Sequence, residues 1–200
     1  MITAEDAQAI ILRRCHQGRK NNGEDEFVIQ SCELSPRKDY WVIRANSADF
    51  VIRGLIEHCY VGVNAHLVDI LTGEVETIGS AQSLQNYLED KYDLINAKGN
   101  SYILRPGFDI KDKSALINLR QKLECRLQDV ISMTSPDNNF WLTGTFRVLS
   151  EVKKLLEAAD IKVNIELHSN LRGAIEIDER AWYFDAVKKH LQRRLCIEQK

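Results

Sequence analysis

The chain has 200 residues, of which 44% are apolar, and a formal net charge of −2. This length and composition suit one large or two small globular domains, and the near-neutral charge disfavours a nucleic-acid-binding protein. No apolar run is long enough for a transmembrane helix, and the N-terminal sequence MITAEDAQAIILRR lacks the basic region and apolar core of a signal peptide. We therefore expect a cytoplasmic protein with no membrane partner.

Charged residues divide unevenly between the two halves of the chain. Residues 1–100 contain 15 Asp and Glu against 10 Lys and Arg, whereas residues 101–200 contain 14 against 17. A mildly acidic half beside a mildly basic half favours protein partners, although ordinary solvated surfaces also produce such sums. The five cysteines include no C-x-x-C pair, so we expect free, mostly buried thiols rather than disulfides or a zinc ribbon.

The N-terminal segment predicts a helix followed by two strands. Thr3 and Asp6 form a capping-box-like pattern at the start of a helix over residues 4–16. Strand-forming residues follow over residues 24–34, beginning with three acids, and over residues 40–44, after a turn that contains proline.

The next segment leads into a hairpin. Residues 46–60 fit either a short helix or an excursion between strands, and the pattern does not decide between them. Two strand-like runs, Val63 to Leu71 and Glu74 to Ile78, then flank Thr72-Gly73, where glycine supplies the positive φ of a tight turn.

From Ser80 the apolar period changes to that of a helix. Its apolar face consists of Leu84, Tyr87, Leu88 and Tyr92, and either Ser80 or Ser83 is its N-cap. A helix, three or four antiparallel strands and a second helix predict an α+β domain over residues 1–98. The boundary is expected at the short polar segment Lys98-Gly99-Asn100.

The sequence LVDILTGEV followed by IGSAQSLQNYLEDKY resembles the signature of a small bacterial family, the immunity protein 35 or YrhB-like proteins. In that family a strand ending in a VD-x-x-TGE turn precedes a G-[ST]-A segment and a helix ending in Y-[IL]-E-x-x-Y. Upstream, DYWVIRANSADF occupies the place of the family's aromatic strand. The resemblance covers roughly residues 1–95, and it implies a protein that binds a cognate toxin and blocks it by occlusion.

Residues 99–200 predict a second α+β domain, in which strands and helices alternate. The expected strands are residues 102–104, 140–142, 161–167 and 174–177, of which the last two form a hairpin. The expected helices are residues 112–131, with an apolar stripe of leucines, a segment around residues 149–159, and residues 178–196, with Asp178 as the capping acid. Trp41 and Trp182 are expected in the cores.

No motif for phosphate, dinucleotide, zinc or calcium binding is present, and no nucleophile elbow. The thiol and imidazole candidates are Cys15 with His16, His58 with Cys59, and Cys59 with His66. Adjacent side chains point apart on a helix or strand, and cysteine is most often a core residue. We therefore predict no enzyme activity, no cofactor and no metal site.

The predicted fold class is α+β, with two small domains that each pack a mainly antiparallel sheet with amphipathic helices. The candidate partner-binding residues are Glu24, Asp25, Glu26, Tyr40, Glu74 and Glu76. Carboxylates on rigid turns suit the basic cleft of a toxin that acts on nucleic acid or phosphate. An open sheet edge is also compatible with a homodimer. The alternatives are a chaperone-like binding module, as YrhB-like proteins are also described, and an enzyme with scattered cysteine and histidine residues.

Overall fold

The computed structural model of the protein describes residues 1–17 and 26–197, with side chains as far as residue 195. The chain divides into two compact units, Met1–Tyr87 and Leu88–Lys200. Each unit contains a four-stranded, mainly antiparallel sheet with helices, which confirms the predicted α+β class. In the described part of the chain, no helix has both the length and the apolar character needed to cross a membrane.

In the first unit, one helix precedes an antiparallel sheet of order β1-β2-β3-β4. These elements are α1 (Ala4–Gln17), β1 (Phe27–Leu34), β2 (Tyr40–Ser47), β3 (Val63–Asp69) and β4 (Val75–Gly79). The predicted capping box is present, because the Asp6 amide donates to Thr3 Oγ1 at 3.2 Å and the Thr3 amide donates to Asp6 Oδ2 at 3.2 Å. The predicted hairpin turn is also confirmed, with Gly73 at a φ of +74°.

Both faces of this sheet bury apolar side chains. On one face, Ala7 and Ile11 of α1 pack against Ile43 and Val68 of the central strands. On the other face the buried side chains include Val42, Ala65, Leu67 and Ile78. Two-sided burial explains why the strands of the first unit do not alternate cleanly in sequence.

The undecided segment after β2 forms two short helical turns. These are α2 (Ala48–Arg53), which is capped by Ser47 and ends at Gly54 with a φ of +72°, and a 3-10 helix (Ile56–His58). After β4, the helix α3 (Leu84–Ala97) follows Ser83, whose Oγ accepts from the Asn86 amide at 3.5 Å. The first unit ends within α3, whereas the predicted domain boundary at Lys98 falls in the turn that follows this helix.

The second unit contains a sheet of order β7-β5-β6-β8. Its remaining elements are β5 (Ser101–Pro106), α4 (Lys113–Leu123), α5 (Leu127–Thr134), β6 (Leu142–Gly144), α6 (Phe146–Ala158), β7 (Val163–His168), β8 (Ile175–Glu176) and α7 (Phe184–Ile197). Its core surrounds Trp141, which is fully buried and whose Nε1 donates to the Met133 carbonyl at 2.7 Å.

The single helix predicted over residues 112–131 is wrong, because the structure has two helices there. Glu124 adopts a left-handed conformation with a φ of +52° and ends α4. Arg126 then begins α5, and its amide donates to Asp129 Oδ2 at 3.0 Å. The leucine stripe concealed the break, because Leu119, Leu123 and Val130 are buried on both sides of it.

The predicted hairpin between residues 161–167 and 174–177 is also wrong. β8 pairs in parallel with β6, and the antiparallel partner of β7 is β5. Gly144 is the last residue of β6. A Cβ there would lie 2.8 Å from the Ile177 carbonyl oxygen, so this close approach requires glycine.

The last helix begins later than predicted. Asp178 lies in a turn, where its Oδ1 accepts from the Arg180 amide at 2.9 Å, and α7 starts at Phe184. Trp182 precedes this helix and is 74% exposed, so the prediction that it belongs to the core is wrong.

The expectation of mostly buried thiols is not met either, because each described cysteine is only half-buried.

Candidate protein-binding surface

The acidic residues proposed from sequence do not form one surface. Glu24 and Asp25 lie outside the described residues. Glu26 is exposed, and its carbonyl accepts from the Ala48 amide at 2.8 Å, at the end of the sheet where β2 ends. Glu74 is exposed in the β3–β4 hairpin, and its carbonyl accepts from the Asp69 amide at 2.9 Å. The strand register places Glu26 and Glu74 at opposite ends of β2.

Two of the other candidates are not freely exposed. Tyr40 pairs with Asp69 across β2 and β3 and is only 8% exposed, so its ring lies in the core and the prediction of a surface contact is wrong for it. Glu76 is half-buried, and its Oε2 accepts from the Tyr87 hydroxyl at 2.7 Å. Of the candidates within the described residues, Glu26 and Glu74 are therefore the exposed carboxylates.

The most unusual surface of the first unit is apolar. It lies on residues 48–63, which comprise the connection from β2 to β3 and the first residue of β3, and which we call the apolar crossover. Five large apolar side chains of the crossover are exposed, namely Ile52 (72%), Ile56 (78%), Tyr60 (41%), Val61 (88%) and Val63 (47%). Single exposed apolar residues are common, but five between positions 52 and 63 make this segment a candidate interaction site.

Buried polar side chains hold the apolar crossover against the end of β2. Asn46 is only 8% exposed; its Oδ1 accepts from the Tyr60 amide at 2.9 Å and its Nδ2 donates to the Tyr60 carbonyl at 3.1 Å. Ser47 is fully buried, and its Oγ donates to the His58 carbonyl at 2.7 Å and accepts from the Phe50 amide at 3.1 Å. These hydrogen bonds fix the backbone of a segment whose apolar side chains face solvent.

The surroundings of the crossover are mixed in charge. The ring of Tyr60 packs against that of Phe27, with 5.2 Å between the centroids. Asp49 pairs with Arg53 at 2.9 Å, and its second carboxylate oxygen lies 3.7 Å from His58 Nδ1. Glu26 lies beside Ala48, at the start of the crossover. The apolar side chains therefore lie near carboxylates, of which Glu26 is exposed.

The described cysteine and histidine candidates Cys59 and His66 contact residues that hold the fold together, and they do not contact each other in a hydrogen bond. Cys59 Sγ lies 3.7 Å from Asn46 Nδ2, within the network that holds the crossover. His66 Nδ1 is 3.0 Å from Thr77 Oγ1 on the neighbouring strand. Burial, and secondarily the charge of Arg14, lowers the pKa of His66 below its ordinary value, because both disfavour the charged imidazolium. Nothing in this arrangement activates a thiol.

The described residues contain no group of three or more His, Cys, Asp or Glu side chains placed to hold a metal ion.

The second unit exposes an aromatic pair, in which the rings of Trp182 and Tyr183 meet at 67° with centroids 5.1 Å apart. Trp and Tyr are enriched at protein interfaces, so this exposed pair is a second candidate contact surface.

Sequence reasoning missed the apolar crossover, although a signal was present. The segment NSADFVIRGLIEHCYVGV contains many apolar residues that follow neither a helical nor a strand period. An apolar segment without a period indicates exposure as readily as burial.

Comparison of the chain with protein-family models, curated protein sequences and solved structures finds no match.

Proposed function

We propose that this protein is a non-catalytic immunity protein, which binds a cognate toxin in the cytoplasm and blocks its active site by occlusion. The observation that supports this proposal most is the apolar crossover, because its exposed side chains stand on a backbone fixed by Asn46 and Ser47. The resemblance of the hairpin and α3 to immunity protein 35 suggests the kind of partner.

A fixed apolar surface favours tight binding to one partner. Ordering a loop costs free energy when a complex forms, and a surface that is already ordered avoids most of that cost. Burying an exposed Ile or Val contributes about 1.5–3 kcal/mol, so Ile52, Ile56 and Val61 together supply roughly 5 kcal/mol. A nanomolar complex needs about 12 kcal/mol, so contacts around the crossover must supply the rest.

The exposed carboxylates have a different part in this proposal. Glu26 lies beside the crossover and is placed to meet a basic residue at the rim of a toxin cleft. Charge pairs at a rim mainly raise the association rate and make it sensitive to salt. Replacing Glu74 and Glu76 together by Gln tests whether the hairpin also takes part, and an unchanged affinity and salt dependence would exclude it.

The decisive experiment asks whether a toxin-like domain is encoded beside the gene of this protein, and it tests that domain against the purified chain. Co-expression should rescue growth, and the purified proteins should form a stoichiometric complex. The double substitution Ile56→Asp and Val61→Asp should abolish rescue without unfolding the chain. Ile117→Asp is the matched control, because Ile117 is 48% exposed on α4. Equal protection by both variants would exclude the crossover, and failure of the wild-type chain to inhibit the toxin would exclude the function.

A chaperone-like binding module is the second candidate. It is favoured by exposed apolar residues elsewhere, namely Leu94 (62%), Ile95 (54%) and Trp182 (74%). Such a module would suppress aggregation of several unrelated heat-denatured proteins at stoichiometric concentration, whereas an immunity protein would suppress none of them.

A further inference from the structure

Within the described residues, one edge of the first sheet has backbone groups that bond to no neighbouring strand. β4 is the last strand of the order β1-β2-β3-β4. The Asp69 amide bonds to the Glu74 carbonyl, and antiparallel pairs alternate, so the backbone groups of Glu74, Glu76 and Ile78 face β3. Those of Val75 and Thr77 and the amide of Gly79 therefore point away from the sheet, whereas the Gly79 carbonyl accepts from the Gln82 amide at 3.0 Å. Thr77 and Gly79 are exposed, so another strand has access to these groups.

A groove lies beside this edge, between β4 and α1. It has a volume of about 320 Å³ and is lined by Ile10, Arg13, Arg14, Gln17 and Val75. Ile10 and Val75 supply an apolar floor, and the two arginines supply positive charge. Among the described residues, no carboxylate forms an ion pair with either arginine.

The two faces of β4 carry opposite charge. Val75 packs against the core on the face of the sheet that α1 covers. Side chains alternate along a strand, so Thr77 lies on the same face as Val75, and Arg13 and Arg14 of α1 lie on that side. Glu74 and Glu76 project from the opposite face. An added strand would place alternate side chains on these two faces. Acidic side chains on one face would meet Arg13 and Arg14, and basic side chains on the other would meet Glu74.

We propose that the β4 edge and its groove bind an extended segment of a partner protein, with alternating acidic and basic side chains, by strand addition. The backbone of the segment bonds to Val75, to Thr77 and to the amide of Gly79, and its side chains are selected by the charges on the two faces of β4. This site shares no residue with the apolar crossover, and it does not depend on the proposed toxin binding.

The test uses two synthetic peptides of identical composition and the full chain. The alternating peptide is acetyl-Thr-Val-Glu-Lys-Glu-Lys-Val-Thr-amide. The block peptide is acetyl-Thr-Val-Glu-Glu-Lys-Lys-Val-Thr-amide. NMR titration should shift the amide signals of Val75, Thr77 and Gly79 with the alternating peptide and protect them from hydrogen exchange. The block peptide should bind about tenfold more weakly, because it cannot satisfy both charged faces. Equal binding of the two peptides, or no shift at these amides at millimolar concentration, would overturn the proposal.

Two variants separate the contributions of the arginines and the backbone. Arg13→Glu with Arg14→Glu should weaken the alternating peptide about tenfold, whereas Arg53→Glu on α2 should not change its binding. Thr77→Pro removes an outward N–H without removing a bond to β3, so it should abolish binding in a chain that remains folded. If Thr77→Pro unfolds the chain, the arginine variants decide the result, and unchanged binding by them contradicts the proposal.

Discussion

Replacing Asn46 tests whether the apolar crossover is held in place by a single buried side chain. Asn46→Ala removes the acceptor of the Tyr60 amide and the donor to the Tyr60 carbonyl, at 2.9 and 3.1 Å. It also removes the acceptor of the Ser47 amide, at 2.9 Å. A buried group left without its partner costs about 1–3 kcal/mol. Water has access near the exposed ring of Tyr60, so we expect a loss of about 3 kcal/mol for the whole substitution.

Native-state hydrogen exchange at the Tyr60 amide measures this loss locally, and it does not require the two units to unfold together. A loss of about 3 kcal/mol increases the open population more than a hundredfold. The matched control is Asn64→Ala, which removes a solvent-exposed bond from Asn64 Nδ2 to the Gln82 carbonyl at 2.8 Å. This control should change the free energy of opening by at most about 1 kcal/mol, because water replaces the lost donor.

The reasoning fails if Asn46→Ala changes exchange at Tyr60 no more than Asn64→Ala does. The crossover would then be held by its own short-range bonds, and its apolar surface would not be preorganised by β2. Ser47→Ala gives an independent check on the same segment, because it removes the cap of α2 and a bond to the His58 carbonyl. We expect it to cost about 1–2 kcal/mol.

Three further predictions concern the stability of the fold. Glu124→Gly should stabilise the second unit by about 0.5–1 kcal/mol in thermal unfolding, because glycine adopts its left-handed conformation without strain; in a continuous helix the same change would destabilise by about 1 kcal/mol. Trp141→Phe should cost about 2–4 kcal/mol in urea unfolding, because it removes a buried hydrogen bond and leaves a cavity, whereas Trp182→Phe should cost less than about 0.5 kcal/mol. The pKa of His66 is lowered by burial and by Arg14, so the unfolded chain binds the proton more readily, and stability should fall as the pH falls below about 6.5. His66→Gln should reduce that fall in urea unfolding between pH 7 and pH 5, and an unchanged pH dependence would contradict this assignment.

The elements of the first unit were predictable where a local signal defined them. Thr3 and Asp6 cap α1 through their own side chains, and Gly73 has the positive φ that its turn requires. These features depend on residues within three or four positions of each other, and the sequence displays them directly. The α+β class followed from the order of such local elements.

The errors in the second unit have a common physical cause. No glycine or proline marks the break at Glu124, and the buried leucines continue on both sides of it. The pairing partner of β8 depends on packing across the whole sheet, because the apolar pattern of β8 is compatible with pairing to either β7 or β6. Strand order is a long-range property, and a single sequence contains little information about it.

The candidate surface was unpredictable for a similar reason. Asn46 and Tyr60 are separated by fourteen positions, and only the folded chain shows that they meet. The acidic residues were visible in the sequence, but their distribution over the ends of the sheet was not. Tyr40 was a candidate interface residue because an aromatic residue in a strand can face either the core or solvent. The sequence does not show which face of β2 is buried, and the structure places Tyr40 in the core.

The geometry of β2 limits how the two exposed carboxylates can act. β2 has 8 residues, and a strand rises about 3.3 Å per residue, so Glu26 and Glu74 are separated by roughly 25 Å along the strand direction alone. An interface of standard size buries about 800 Å² on each partner, a disc of about 16 Å radius, so a partner of that size centred on the apolar crossover would not cover Glu74. Binding energy concentrates in buried side chains near the centre, and rim charges act mainly on the association rate. Under the proposed function, the crossover is therefore the better centre for a tight complex, and we expect Glu74 to attract a basic partner rather than to hold it.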